Sequence, residues 1–397
     1  MQGSRIEAGS ASGGSSPDMG TWHLPPERVS EEILTRLRPG AEALLIRHPS
    51  VDDRSPSAPD IDVLGIRRER GLLPERFFLN NGSVKVPVDV IWLCRDLVGN
   101  PSRFARAGLL PHRLLCSSIV YDRNGWMVER WHAIESEMYR PEVWHERIDG
   151  FLQLAADTVR EIGITWDFPP LALFWLHIAL TACLSAACDG SKRFCPNIYT
   201  QPMAYLRDVA REIGADLETP FVGTLRLDRE PRRLVALLRS LHATIAHRFP
   251  EPVWPDSVRQ DTRYEYRYFL SREELDLRVA AAEQMIERGE GPAAVFYLRF
   301  WAYALARIPM VHQRTLEGID VSFLRPERAV LPDLEKNCPE IVDELGDLLS
   351  GPEPIRVADI QRGLQELTAF RGVVSAHLSE RGIPTQSTEW KPFKPPP

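Results

Sequence analysis

Two short apolar segments in the N-terminal third of the chain alternate like β-strands, and aspartates interrupt both of them. Residues 59–66 read Pro-Asp-Ile-Asp-Val-Leu-Gly-Ile, and residues 86–92 read Val-Pro-Val-Asp-Val-Ile-Trp. Strand side chains two residues apart point the same way, which places Asp60 and Asp62 on one face, about 6–7 Å apart. Asp89 joins them if the second segment is a neighbouring strand. The sequence therefore predicts a sheet with three carboxylates on one patch.

Such a patch is electrostatically costly, because like charges repel one another unless a cation lies between them. Hard oxygen ligands suit Mg²⁺, and two such ions about 3.5–4 Å apart are arranged for phosphoryl or nucleotidyl transfer. The alternative is structural, since an Asp-x-Asp pair is also common on the solvated face of a half-buried strand.

The neighbouring segments place the acidic strands in a definite order. A capped helix with acids in its first turn begins at Ser30, and a short apolar run follows at residues 43–46. A polar loop, residues 47–59, then leads into the first acidic strand. After Asp89 come a helix-like stretch and a short strand at residues 116–121. The pattern predicts short strands with helices between them.

This order resembles the nucleotidyltransferase fold of the polymerase-beta superfamily. The resemblance is to the small bacterial members that transfer a nucleotide to an antibiotic or another small molecule, and residues 118–125 match the strand and turn that close their catalytic domain. By motif the resemblance covers residues 28–135. It implies that Asp60 and Asp62 are metal ligands, and that Asp89 is a third ligand or the base that deprotonates an acceptor hydroxyl.

One segment departs from that family. A Gly-Ser pair there follows the first strand and holds the triphosphate, whereas this chain has Arg47, His48, Pro49 and Ser50. Proline offers no backbone N–H and cannot approach phosphate as glycine does. Arg47 and His48 can compensate by charge and Ser50 by its hydroxyl, so we expect these three residues to bind the nucleotide. A decayed triphosphate site stays open as the alternative.

The chain is helical almost throughout after residue 140. Periodicity predicts helices over residues 141–162, 171–188, 203–213, 231–248, 272–288, 293–306 and 357–381. A loop at residues 189–199 joins two of them and carries Lys192, one of only five lysines. In the resembling enzymes a lysine-bearing loop at this place meets the phosphates, so Lys192 is a further candidate for nucleotide binding.

Two other segments allow more than one interpretation. Residues 263–268 alternate aromatic and charged side chains, which predicts a short extended piece whose tyrosines pack or, less favoured, stack on a base. Residues 171–188 lack charge over a length close to that of a membrane span. His177, Thr181 and Ser185 form a polar stripe along one face, which favours a core helix instead.

Composition narrows the remaining classes. The chain has 44% hydrophobic and 26% charged residues and a net charge of −7, which is typical of a globular protein and does not favour nucleic-acid binding. Its six cysteines have no metal-site spacing and are expected to be reduced thiols of a cytoplasmic protein. Arg-x4–6-His pairs, the mark of a helical RNA-cleaving class, occur at the frequency that chance predicts.

Together these features predict an α+β protein. We expect a disordered leader (1–27), an N-terminal mixed-sheet nucleotidyltransferase-like domain (28–135), a large all-helical substrate-binding domain (140–384) and a flexible tail (385–397). The expected activity moves a nucleoside monophosphate from a nucleoside triphosphate, such as ATP, to a hydroxyl or amine of a small-molecule acceptor, with one or two Mg²⁺ ions. The alternative is a catalytically inactive relative that regulates or binds.

Overall fold

The computed structural model describes residues 26–47, 61–69, 74–81, 84–165, 168–254, 258, 260–316, 336, 338–350 and 354–385. The predicted leader up to residue 25 and the tail after residue 385 lie outside these ranges. So do three of the predicted site residues: His48, Ser50 and Asp60.

The N-terminal part is built around a mixed sheet. Its five strands are β1 (Ala43–Arg47), β2 (Ile61–Arg67), β3 (Glu75–Asn81), β4 (Val84–Cys94) and β5 (Ser118–Asp122). They lie in the order β3-β4-β2-β1-β5, in which β2 and β4 are parallel and the other pairs are antiparallel. The two predicted acidic strands, β2 and β4, are therefore direct neighbours at the centre of the sheet.

Helices cover both faces of this sheet. Helix α1 (Pro26–Leu37) buries Ile33 and Leu37 against one face, with the side chains of Val63 and Val88. The other face packs against α2 (Arg95–Val98), α3 (Pro101–Ala105), α4 (Leu110–Leu115) and α5 (Trp126–Met138). Strand alternation assigns Leu45, Leu64 and Ile91 to this second face.

The rest of the described chain is helical. Its helices are α6 (Pro141–Ile164), α7 (Pro169–Gly190), α8 (Pro202–Ile213), α9 (Glu218–Thr224), α10 (Pro231–Arg248), α11 (Gln260–Leu270), α12 (Arg272–Glu287), α13 (Gly291–Leu316), α14 (Pro339–Ser350) and α15 (Val357–Glu380). The predicted α+β class is confirmed, and all seven predicted helices are present. Helix α13 runs about ten residues longer than predicted and passes through Pro309.

The predicted extended piece at residues 263–268 is wrong, because these residues lie within α11. On a helix, Tyr264 and Tyr268 are one turn apart, whereas Tyr266 points to the opposite side. Tyr266 is buried, and its hydroxyl donates a hydrogen bond to the carbonyl oxygen of Phe249 at 2.7 Å. Both sides of the segment thus find partners, which overrides the local alternation of residue types.

Helix α7 lies at the centre of the helical part. Among the described helices it alone is long and apolar enough to cross a membrane, and 89% of its apolar window is buried inside the protein. The two hydroxyls of its polar stripe are satisfied within the helix, since Thr181 Oγ1 donates to the carbonyl oxygen of His177 and Ser185 Oγ to that of Thr181. The His177 ring stacks on Phe296 with 3.6 Å between ring centroids. The helix therefore packs as the core helix that the stripe favoured.

A buried arginine of the helical part, held by an ion pair, connects this part to helices of the N-terminal part. Arg147 on α6 holds Asp189 on α7 through two contacts of 2.8 Å, and neither side chain is exposed. The same guanidinium donates to the carbonyl oxygens of Ala105 at 2.6 Å and Met138 at 3.0 Å. His112 lies 3.7 Å from Asp189. Four helices, α3 and α5 to α7, thus meet at one side chain.

We expect Gly65→Ala to destabilise the sheet. Gly65 on β2 is the partner of Trp92 on β4, and a Cβ at this position would lie 2.2 Å from the indole ring. The ring has to shift, which lowers the free energy of unfolding by about 1–3 kcal/mol. Urea denaturation measures the change. The control is Gly150→Ala on α6, where a Cβ meets no atom and should raise stability by up to about 1 kcal/mol.

Two buried histidines should make the folded protein less stable in mild acid. Burial lowers the pKa of His112 and His177 to about 3, with Arg147 and Arg299 respectively adding to the effect. The unfolded chain, with its ordinary pKa of about 6.5, binds more protons below that pH, so acid favours unfolding. Each histidine should cost about 1.4 kcal/mol per pH unit between pH 6 and pH 4.

Urea denaturation at pH 7, 6 and 5 checks this expectation. His112→Asn keeps an acceptor for the Cys195 backbone N–H, which contacts His112 Nδ1 at 3.4 Å, but cannot be protonated. Its stability should fall less steeply with decreasing pH than that of the unmodified protein. His247→Asn, at an exposed position on α10, is the matched control and should keep the original slope. Equal slopes in all three proteins would contradict the assignment to His112.

Candidate active site

Four charged residues lie side by side across four strands of the sheet. Arg47 on β1 is the partner of Asp62 on β2, Asp62 is the partner of Asp89 on β4, and Asp89 is the partner of Arg76 on β3. Directly opposed residues project from the same face of a sheet. We call Arg47, Asp62, Asp89 and Arg76 the charged row. Its two carboxylates are adjacent at the centre, and its two guanidinium groups are at the ends.

The first end of the row is held by the helical part. Arg47 forms an ion pair with Asp62, and its Nη1 donates a hydrogen bond of 2.7 Å to Asn197 Oδ1. Asn197 belongs to the loop that follows α7. The side chain of Asp62 remains 34% exposed. A ligand can therefore reach this carboxylate although arginine already pairs with it.

Arg113 on α4 lies beside this end of the row. Burial and the positive charge of Arg47 lower the pKa of its guanidinium, and the carboxylate of Asp62 opposes them. Its Nε donates to the carbonyl oxygen of Pro196 at 3.4 Å. Two guanidinium groups thus converge near one carboxylate, which gives this end of the row an excess of positive charge.

The second end of the row continues into the helical part as an alternating chain of charges. Arg76 Nε lies 3.3 Å from Asp89 Oδ1, and the same guanidinium pairs with Glu274 on α12, which in turn pairs with Arg278. Burial works against the charge of Arg76, but Asp89 and Glu274 outweigh it and raise its pKa. Arg278 Nη2 donates to the Tyr268 hydroxyl at 2.8 Å. Each charged side chain in the series Asp89, Arg76, Glu274 and Arg278 thus lies next to one of opposite sign.

The predicted site residues separate into three groups. Asp62, Asp89 and Arg47 come together in the row, and Asp60, His48 and Ser50 lie outside the described residues. Lys192 lies elsewhere on its loop, with Nζ over the rings of Tyr139 (5.4 Å) and Trp144 (5.0 Å). Its role in nucleotide binding stays a prediction. Asn197, from the same loop, is the residue that contacts Arg47.

Four residues of the site could not be identified from the sequence, because no local pattern marks them strongly enough. Arg76, Arg113, Asn197 and Glu274 come from a strand, a short helix, a loop and a long helix that are distant in the chain. Arginine is abundant in this protein, so neither Arg76 nor Arg113 stands out by residue type. The one usable signal for Arg76 was its position on an apolar alternating strand, where a charge needs a partner.

The two central carboxylates fit a magnesium site in their chemistry and placement. In proteins Mg²⁺ is usually bound by one or two carboxylates together with phosphate groups of a substrate, rather than by a cage of protein ligands alone. Adjacent strands about 4.8 Å apart place Asp62 and Asp89 close enough to share an ion. Within the described ranges, no group of three His, Cys, Asp or Glu side chains is arranged to hold a metal. Further ligands would come from the substrate, from water or from Asp60.

Comparison with known proteins adds little to this geometry. No protein-family model and no curated protein sequence matches the chain. Among solved structures, a nucleotidyltransferase-like protein from Exiguobacterium sibiricum is similar, with a TM-score of 0.28 and 11% identity over 79% of this chain and 90% of that chain. Because the TM-score is this low, the description of the fold rests on the strand order and on the charged row.

We expect Arg76→Met to destabilise the protein strongly. Its guanidinium is 11% exposed and lies between Asp89 and Glu274, which is 2% exposed. Removing it leaves two largely buried carboxylates without this partner, at a cost of about 3 kcal/mol or more in the free energy of unfolding. Urea denaturation at neutral pH gives the value.

Arg160→Met is the matched control, because Arg160 forms an ion pair with Asp157 in which both side chains are exposed. An exposed pair contributes less than about 1 kcal/mol, so this variant should remain close to the unmodified protein. Similar losses in both variants would mean that the second end of the row is not stabilised by its charges.

Proposed function

We propose that the chain has a nucleotidyltransferase-like fold and transfers a nucleoside monophosphate from a nucleoside triphosphate to a hydroxyl or amine of a small-molecule acceptor. The observation that supports this most directly is the register of Asp62 with Asp89 on adjacent parallel strands. Two carboxylates at the centre of a sheet, beside a large helical part, are what the reaction needs to bring a metal, a triphosphate and an acceptor together.

Arg47 and Arg113 would bind the triphosphate in place of the missing Gly-Ser pair. Arg47 pairs with Asp62. An incoming phosphate would compete for this guanidinium, because bidentate arginine–phosphate pairs are strong. Asp62 would then be released to bind the metal.

Asp89 would act on the acceptor. The hydroxyl oxygen attacks the α-phosphorus, the bond from phosphorus to the pyrophosphate oxygen breaks, and the hydroxyl proton passes to a carboxylate. Arg76 lies beside Asp89 and would orient its carboxylate from the side. The chemistry that Mg²⁺ would supply when bound is charge compensation for the phosphates. Asp62 and Asp89 are the described residues that would hold it.

A second candidate is a catalytically inactive relative that binds a nucleotide or a partner as a regulator. The observation that favours it is that both carboxylates of the row already pair with arginine, so the site needs no metal to be electrostatically balanced.

The cytoplasmic location and the independence from nucleic acid and membranes remain predictions from the sequence.

Variants of Asp89 and Arg113 should separate nucleotide binding from nucleotide transfer. We expect Asp89→Asn to lower the rate of transfer from labelled ATP or GTP roughly 10²–10⁴-fold, far more than it weakens Mg²⁺-nucleotide affinity, because Asp62 still offers a carboxylate to the metal. Arg113→Met should weaken that affinity by about tenfold or more, since a charged hydrogen bond is lost. Calorimetric titration with and without Mg²⁺ measures binding, and a panel of candidate acceptors measures transfer.

The control is Arg103→Met, which removes an exposed arginine of α3 and should change neither quantity. Nucleotide binding that does not depend on metal, with no transfer to any acceptor, would favour the inactive relative. Full activity of Asp89→Asn would remove Asp89 from the reaction.

A further inference from the structure

The tyrosines of α11 do not share one environment. Tyr264 and Tyr268 lie one turn apart on the same side of the helix, with their rings stacked at 5.9 Å between centroids and 24° between planes. Tyr266 faces the helical core, where it contacts Phe249 and His312. The side of α11 with Tyr264 and Tyr268 is the side that meets the charged row.

The link between these rings and the row passes through Arg76. Its guanidinium lies 4.7 Å from the ring centroid of Tyr268 and 5.8 Å from that of Phe78, while its Nε contacts Asp89. Phe78 is two residues from Arg76 on β3, hence on the same face, and is 37% exposed. Burial and the nearby carboxylate of Asp89 raise the pKa of Tyr264. Three aromatic rings therefore surround the second end of the row.

This surface has no excess of negative charge. Three carboxylates lie beside the rings: Asp89 and Glu274 are balanced by Arg76 and Arg278, and Glu265 has Arg307 as a counter-charge. A polycationic ligand needs uncompensated carboxylates to bind, and this end of the row does not supply them. A planar aromatic ligand needs an accessible ring instead; Phe78 is exposed and Tyr264 is partly exposed, both near the Arg76 guanidinium.

We propose that Tyr264, Tyr268 and Phe78 form a stacking site for a planar aromatic group of a neutral or anionic substrate, next to Asp89. The proposal rests on the proposed function, which makes Asp89 the place of reaction. The aromatic group is either the nucleobase of the donor or a ring of the acceptor, and both have the same chemistry at this surface. A polycationic acceptor such as a polyamine is excluded as the ligand of this site.

The test uses adenosine and 2-naphthol as aromatic probes and spermine as a polycation, titrated by calorimetry in the absence of metal. Tyr264→Leu removes the aromatic face but keeps an apolar side chain, and Tyr264→Phe restores the ring. We expect at least one aromatic probe to bind, and Tyr264→Leu to weaken it roughly 10- to 100-fold, the usual effect of losing one stacked base contact. Tyr264→Phe should bind almost as the unmodified protein does, and spermine should not compete.

Tyr121→Leu is the matched control. Tyr121 is half-buried on β5 with Arg38 at 5.1 Å from its ring, a similar contact at a different place, so its loss should leave probe binding unchanged. Competition with ATP identifies the source of the aromatic group. A probe that ATP displaces occupies the nucleobase position, and a probe that binds together with ATP occupies the acceptor position.

Two results overturn the proposal. One is that neither aromatic probe binds at millimolar concentration, and the other is that Tyr264→Leu binds them as tightly as the unmodified protein. Because no metal or triphosphate is needed, aromatic binding without any nucleotide transfer would leave this site in place while the proposed function fails. Nucleotide transfer without aromatic binding would refute the stacking site alone.

Discussion

The buried pair of Arg147 and Asp189 is the interaction on which the arrangement of the site depends. It fixes the end of α7, and the loop carrying Asn197 starts from there. His112, which lies against Asp189, is the neighbour of Arg113 on α4. Two of the contacts that surround the first end of the charged row are thus set by an ion pair that no solvent reaches. Breaking such a pair costs several kcal/mol, because one buried charge loses its partner.

The charged row itself combines two requirements that usually conflict. Adjacent carboxylates suit a metal-dependent reaction, but they repel each other unless a positive charge lies beside them. Here Arg47 and Arg76 compensate that repulsion from the two sides, and each also contacts the helical part, through Asn197 and Glu274. The guanidinium groups therefore stabilise the sheet and tie it to the helices at the same time.

Much of the architecture was predictable because it depends on local pattern. The acidic strands, the order of the segments and seven long helices follow from periods of two and 3.6 residues. The segment around Tyr266 was mistaken for an extended piece, since alternation of residue types can be overridden when a helix buries one tyrosine in the helical core and turns the other two toward the charged row. The site was only half predictable, because Arg113 and Glu274 join it from distant elements.

What the sequence determined by itself was the placement of Asp62 and Asp89 on strands, since alternation fixes which side chains share a face of a strand. Only the tertiary structure decided that these strands are parallel neighbours in register, because pairing and register depend on contacts between distant segments. The tertiary structure also decided that arginines flank both carboxylates and that tyrosines of α11 meet the row. These contacts join residues up to about 200 positions apart, and no local pattern encodes them.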